Sequence, residues 1–171
     1  VTREEEIIYA TAAAMGGPPK LCFSDMAKAI YYRPEGSGRT LVGRGFPKEY
    51  EYVEPNGYNQ EVDVSFIAET ERLLHQRLPA LAGALALNSY TGLYDVTPDW
   101  HPVLGAVDGI TGFLLCTGFS GHGFKIGPAV GELMAEEVLD GGAHTIDLGR
   151  FGIGRFEEGN LIEAAYGANR A

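Results

Sequence analysis

No apolar run in this 171-residue sequence approaches the ~20 residues that a helix needs to cross a bilayer, so membrane insertion is not expected of it. Positive charge is scarce too: 13 Lys+Arg stand against 23 Asp+Glu, a formal net charge of −10, and no basic run stands out. Polyanions are bound by dense Lys/Arg surfaces, which makes nucleic acid and anionic lipid poor partners. Cysteine is limited to Cys22 and Cys116. Both sit in apolar segments, where a free thiol behaves as a small hydrophobe, and no secretory leader opens the sequence. The expectation is two free thiols in a reducing compartment, the cytoplasm. His75, His101, His122 and His144 lack metal-ligand spacing, and neither cysteine has a partner two to four residues away, so no zinc site is expected. A Gly-x-Ser-x-Gly elbow is missing as well, and Ser120 and His122, two apart on a loop, rarely face each other. Hydrolase chemistry is thereby disfavoured.

What remains is a chain long enough to bury roughly 70% of its unfolded surface, with a hydrophobic content of 45% that excludes disorder. Glycine supplies 24 of the 171 residues, about twice the ~7% average, and punctuates short strands. The opening Thr2 to Glu6 runs into strand-like Ile7 to Thr11, a start that reads as cut from something longer. After the breaker Met15 to Pro19, Lys20 to Phe23 reads as a short strand. Ala29 to Arg33 and Thr40 to Gly43 flank a polar glycine loop and read as an antiparallel hairpin, with Tyr31 and Tyr32 on opposite faces. Asp63 is a candidate N-cap for a helix striped by Phe66, Ile67, Leu73, Leu74 and Leu78 and stopped by Pro79. Asn88 to Tyr94 is strand-like, Val103 to Val107 and the run from Phe113 form a second hairpin candidate, and a helix is expected from about Pro128 to Leu139, closed by Gly141 and Gly142. The fold class predicted is α+β, a mostly antiparallel sheet with a packed helix, followed by a strand, loop and helix. Residues 143–171 form a glycine-rich tail to which no chemistry is assigned.

The richest local signal is the junction Gly118-Phe119-Ser120-Gly121-His122-Gly123-Phe124-Lys125 between the apolar run Phe113 to Thr117 and the second helix. Glycines let a ligand approach the main chain, and a helix start directs free N–H groups and a positive dipole end at it. Lys125 adds a full charge. The junction is therefore a candidate anion-holding loop, with a simple strand-to-helix turn as the alternative. It is neither of two familiar nucleotide motifs. The chain has no Gly-Lys pair for a P-loop, and its glycines read Gly-x-x-Gly-x-Gly rather than Gly-x-Gly-x-x-Gly, with no second parallel strand following.

Thr91-Gly92-Leu93-Tyr94-Asp95-Val96-Thr97-Pro98-Asp99, Pro102 to Gly105, Gly118 to Lys125 and Gly131-Glu132-Leu133 together resemble the C-terminal region of FAD-dependent amine and amino-acid oxidases, the D-amino-acid oxidase superfamily. The Gly-His-Gly-Phe-Lys form is most similar to the sarcosine-oxidase branch. Ala29 to Gly36 and the helix ending at Leu78 to Leu81 resemble that family's substrate domain, so residues 1–90 are expected to be a partial substrate-binding sheet domain and 91–142 a flavin-capping segment. The resemblance implies a hydride removed from a carbon bonded to the substrate nitrogen, leaving an imine. It implies that Gly118, Phe119, Ser120, Gly121, His122, Gly123 and Phe124 hold the pyrimidine edge of FAD, that Lys125 pairs with the substrate carboxylate, and that Tyr32 walls the substrate pocket. A plain surface lysine is the alternative for Lys125. No cysteine stands near Gly92, where monomeric sarcosine oxidases attach their flavin, so the FAD is expected to be noncovalent. The dinucleotide-binding half is not among these residues, and the chain alone is expected to hold FAD weakly or not at all. The expected role is a C-terminal portion or one subunit of an enzyme acting on an amino-acid-like small molecule; the alternatives are a noncatalytic module that self-associates or binds a partner, and a D-amino-acid enzyme using an acceptor other than oxygen.

Overall fold

In this computed structural model, which describes residues 1–11 and 16–163, the chain divides into two units, Val1–Leu93 and Tyr94–Ala171. The first is built on a six-stranded, mostly antiparallel sheet. Its strands are β1 (Thr2–Ala10), β2 (Phe23–Asp25), β3 (Ile30–Pro34), β4 (Arg39–Arg44), β5 (Glu51–Tyr52) and β6 (Ala86–Tyr94), ordered β2-β3-β4-β1-β5 with β6 also pairing with β1. Strand alternation decides which residues become core. Ile7 and Tyr9 of β1, Ile30 and Tyr32 of β3 and Val42 of β4 point one way and are buried with Phe66, Leu73 and Leu74 of helix α1 (Val64–Arg77). Each such side chain contributes roughly 1.5–3 kcal/mol when fully buried. A polar tie crosses this layer, Tyr9 Oη lying 3.4 Å from Thr70 Oγ1. Glu4, Glu6, Tyr31, Leu41 and Gly43 alternate onto the opposite face.

One expectation for this unit is corrected and another is met without the side-chain bond that usually goes with it. The short strand forecast at Lys20 to Phe23 lies at Phe23–Asp25. Asp63 does occupy the N-cap of α1, yet its side chain makes no capping bond. Its carboxylate instead accepts from the buried Arg3 and from Asn59. Arg3 also donates to the Asn59 and Glu61 carbonyls at 2.8 and 2.5 Å, so it pins the polar loop that precedes the helix. The helix ends where Leu78 N–H reaches Leu74 O at 2.7 Å and Pro79 blocks continuation.

The second unit holds the antiparallel hairpin β7 (Val103–Ala106) and β8 (Leu114–Thr117), then helix α2 (Gly123–Asp140) and the short α3 (Arg155–Glu158). Leu104, Val130, Leu133 and Leu148 form its core. Helix α2 begins five residues before Pro128, which lies inside it rather than in its first turn. Proline there removes the donor for the Phe124 carbonyl, and Phe124 is fully exposed, so water can serve that oxygen. Gly141 closes the helix in the left-handed conformation, φ 77°.

The tail has a structural task that local sequence did not reveal. Arg155, buried, donates to both oxygens of the buried Asp99 at 2.7 and 3.0 Å and to the carbonyls of His101, Phe151 and Gly152. Residues 164–171 of the tail and Met15 of the early breaker lie outside the described residues. Both cysteines are free and exposed: Cys116 lies in β8, whose two-stranded sheet gives it one neighbour, and Cys22 precedes an edge strand.

Candidate functional site

The Gly118–Lys125 junction is shaped by side chains fixed beneath it. Asp95 binds it at two points, its carboxylate accepting from Gly118 N–H at 2.8 Å and its carbonyl from Ser120 N–H at 3.4 Å. Gly118 needs to be glycine twice over. Its φ is +70°, and a Cβ there would stand 2.5 Å from Thr97 Cγ2. Ser120 adopts φ 50°, a conformation disfavoured for any residue with a Cβ. Fully buried, it is held by accepting from Thr97 N–H and donating to Gly118 O, both at 3.2 Å. Thr97 in turn donates to the His101 carbonyl and to Asp99, which Arg155 clamps. A continuous chain of polar contacts thus runs from the tail through Arg155, Asp99 and Thr97 to the loop.

Above this base the backbone is open. Within the loop, Gly118, Ser120 and His122 spend their N–H groups on the protein. The N–H groups of Gly121, Gly123 and Phe124 make no hydrogen bond among the described residues, and no side chain caps the start of α2. The dipole of an 18-residue helix therefore ends in unsatisfied donors. Gly123 also sits tightly against the Phe119 ring, where a Cβ would lie 3.1 Å from Cβ and Cγ. Lys125 is exposed, with Nζ 3.5 Å from His122 Nδ1. Burial, then the Lys125 ammonium and His101, hold the His122 imidazole below its usual range, so at neutral pH it is an uncharged ring beside a cation. Such a surface suits an electron-rich, flat or anionic group.

Of the residues proposed from sequence, Gly118 to Lys125 are gathered at this one junction, with Ser120 turned inward as scaffold. Tyr32 belongs to the first unit and is wholly buried, its ring edge-on to Phe23 at 3.9 Å between centroids. It presents no surface to a ligand. Tyr31, half-exposed on the other face of the same strand, does. Asp95 and Thr97 carry no local signal of their role beneath the loop, although both stand in the segment that bears the family resemblance. Among the described residues no three His, Cys, Asp or Glu are grouped to hold a metal, and no helix is long and apolar enough to cross a membrane.

Residues 4–137 match the family described as FAD dependent oxidoreductase (DAO). FAD-dependent oxidoreductase domain-containing protein 1 of Xenopus laevis is 39% identical over 128 residues, 74% of this chain and 25% of that protein. Sarcosine oxidase subunit beta of Rhodobacter capsulatus is 35% identical over 118 residues, 68% of this chain and 27% of that subunit. The crystal structure of L-proline dehydrogenase from P. horikoshii matches with a TM-score of 0.77 at 25% identity, covering 94% of this chain and 41% of that one. The chain thus spans about a quarter of the length of these curated relatives.

Proposed function

The chain belongs to the DAO family of FAD-dependent oxidoreductases, and we propose that it supplies the substrate-binding and flavin-capping portion of an enzyme that oxidises the C–N bond of an amino acid or N-methyl amino acid to an imine. The observation that carries this reading is the open start of α2, where unsatisfied N–H groups and a helix dipole meet an exposed lysine. These residues fit FAD: the donors at Gly121, Gly123 and Phe124 suit the pyrimidine edge of a flavin. When bound, the cofactor accepts the hydride equivalent from the carbon next to nitrogen.

The residues of this chain do the rest. The free amides of Gly121, Gly123 and Phe124, on a loop anchored by Asp95 and Ser120, are preorganised to stabilise negative charge, which favours the reduced cofactor. Lys125 is proposed to pair with the substrate carboxylate. Neutral His122 beside it accepts from the ammonium without adding a competing charge. The aromatic wall expected from Tyr32 is not proposed, because that side chain is wholly buried. Noncovalent attachment remains the proposal, since no cysteine stands near Gly92. The adenosine and pyrophosphate contacts are assigned to a dinucleotide-binding half, in the same polypeptide or a partner subunit. Exposed Phe124, Val138 and Leu139 on α2 are apolar surface that such a half would cover.

The same exposed side chains favour the competing reading, a noncatalytic module that self-associates. Bound-flavin absorbance and mass in solution separate the two. In the FAD-loaded protein, Lys125→Met should raise KM for carboxylated amines by roughly 10- to 150-fold, the equivalent of a charge-assisted hydrogen bond. An unchanged KM would remove Lys125 from the site.

A further inference from the structure

The cation at the Gly118–Lys125 junction sits where the helix alone would not favour one. His122 is the N-cap of α2 and Lys125 its third helical residue, a position that suits an acidic side chain and opposes a basic one through the helix dipole. Lysine there weakens the helix. Short polar N-cap side chains usually satisfy the first free N–H groups, but His122 makes no capping bond and leaves them open. Its ring is engaged sideways instead. Residues three apart share one helix face, and His122 Nδ1 meets Lys125 Nζ at 3.5 Å, with no other hydrogen bond or ion pair on Lys125 among the described residues. An ammonium only donates, so Nδ1 accepts and the neutral ring carries its proton on Nε2. The ring is half-buried on a backbone fixed by His122 N–H to Phe119 O at 2.8 Å, while Lys125 is exposed. Lysine is therefore the mobile member of the pair.

We propose that His122 is a positioning residue that holds the Lys125 ammonium beside the open start of α2 and takes up a proton when an anion arrives there, so that a carboxylate binds together with one proton. The proposal rests on the amino-acid-oxidising reading above and names the regulation of its carboxylate point by pH. Lys125 exchanges Nδ1 for a carboxylate oxygen, and the vacated lone pair takes a proton from a buffer acid. One N–H bond forms on the ring, one bond of the acid breaks, and nothing is oxidised. Two cations and the free amides of Gly121, Gly123 and Phe124 then face one anion.

Burial, then Lys125 and His101, hold the free imidazole below its usual range. His101, ahead of β7, has its Nδ1 2.7 Å from the Asp99 carbonyl. The carboxylates beneath the loop are committed, Asp95 to Gly118 N–H and Asp99 to Arg155. An anion at Lys125 offsets the repulsion and raises the imidazole, so the bound state holds the proton more tightly. By reciprocity, anion affinity rises as pH falls from the bound-state value to the free-state one.

The test uses the FAD-loaded protein with acetate as the anionic probe and acetamide as its uncharged isostere. Binding is read from the flavin absorbance change between about pH 5.5 and 7.5, where acetate stays ionised and an imidazole titrates. Ring NMR signals report the protonation of His122. Acetate affinity should rise about threefold or more as pH falls across that range, and acetate should move the His122 signals toward the protonated position; acetamide should do neither. His122→Gln offers Lys125 an acceptor that cannot titrate, and should flatten the acetate profile. Lys125→Met should weaken acetate by about tenfold or more. Without probe it should raise Tm by about 1–4 °C, because a charge opposed by the dipole is gone, which also checks the fold. A flat wild-type profile, a slope that His122→Gln keeps, or a slope shared by acetamide overturns the proposal. If Lys125→Met still loses acetate in those cases, only this inference falls. If Lys125→Met binds acetate as the wild type does, the carboxylate role of Lys125 in the functional reading falls with it.

Discussion

Replacing Arg155 by Met tests whether the tail holds the loop. The perturbation keeps most of the side-chain volume and removes every donor of a pair whose side chains are 4% and 2% exposed. Asp99 would retain Ile162 N–H, His101 N–H and Thr97 Oγ1, at 3.1 to 3.2 Å, but its charge would stay buried without a counterion. Removing one member of a buried pair costs about 3–5 kcal/mol, which for a chain of this size lowers Tm by roughly 6–20 °C. Trp100, the only tryptophan, is buried between Asp99 and His101 and reports the transition by fluorescence. A double-mutant cycle with Asp99→Asn should recover a coupling of about 2 kcal/mol or more. The acid limb gives an independent check. Burial alone would raise the Asp99 carboxyl, but Arg155, then the Ile162 and His101 amides, hold it well below the usual carboxylate range. The unfolded chain therefore binds this proton at higher pH than the folded one, so the stabilisation is complete above about pH 4 and is lost as pH falls further. Arg155→Met should flatten that limb. A loss under about 1 kcal/mol, the size of a solvent-exposed ion pair, would refute the reasoning and break the link from the tail to Ser120 and Gly118.

Two smaller perturbations probe the two units separately. Tyr32→Phe should stabilise the first unit by about 1 kcal/mol in urea titration, because the Tyr32 hydroxyl is buried with no partner among the described residues and an unsatisfied hydroxyl costs about 1–3 kcal/mol; a loss of stability would reveal a partner. Gly118→Ala should destabilise the second by about 1–3 kcal/mol, since it combines a positive φ with a Cβ 2.5 Å from Thr97 Cγ2; an unchanged thermal midpoint would show that Thr97 yields freely and that the loop is not held from below.

The elements readable from sequence were those whose signal is local. Alternation and glycine turns located both hairpins, the apolar stripe from Phe66 to Leu78 located α1, and the cluster of glycines before an apolar helix located the junction at 118–125. The start of α2 escaped because Pro128 looks like a first-turn residue, whereas it lies five residues inside the helix, one turn after the fully exposed Phe124. Alternation also placed Tyr31 and Tyr32 on opposite faces without saying which face α1 would cover. That choice belongs to packing: Tyr32 is the one buried, and Tyr31 stays half-exposed. The same holds for three successive glutamates in β1. Glu5 joins Arg3 on one side, Glu4 takes Lys48, and Glu6 alone meets a glycine that leaves room for a phenol. Asp99 and Arg155 lie 56 positions apart, with no periodicity linking them. In each case the missing information is register or long-range pairing, which a linear pattern does not encode. The chemistry of this chain therefore depends most on residues whose types are ordinary and whose neighbours are not.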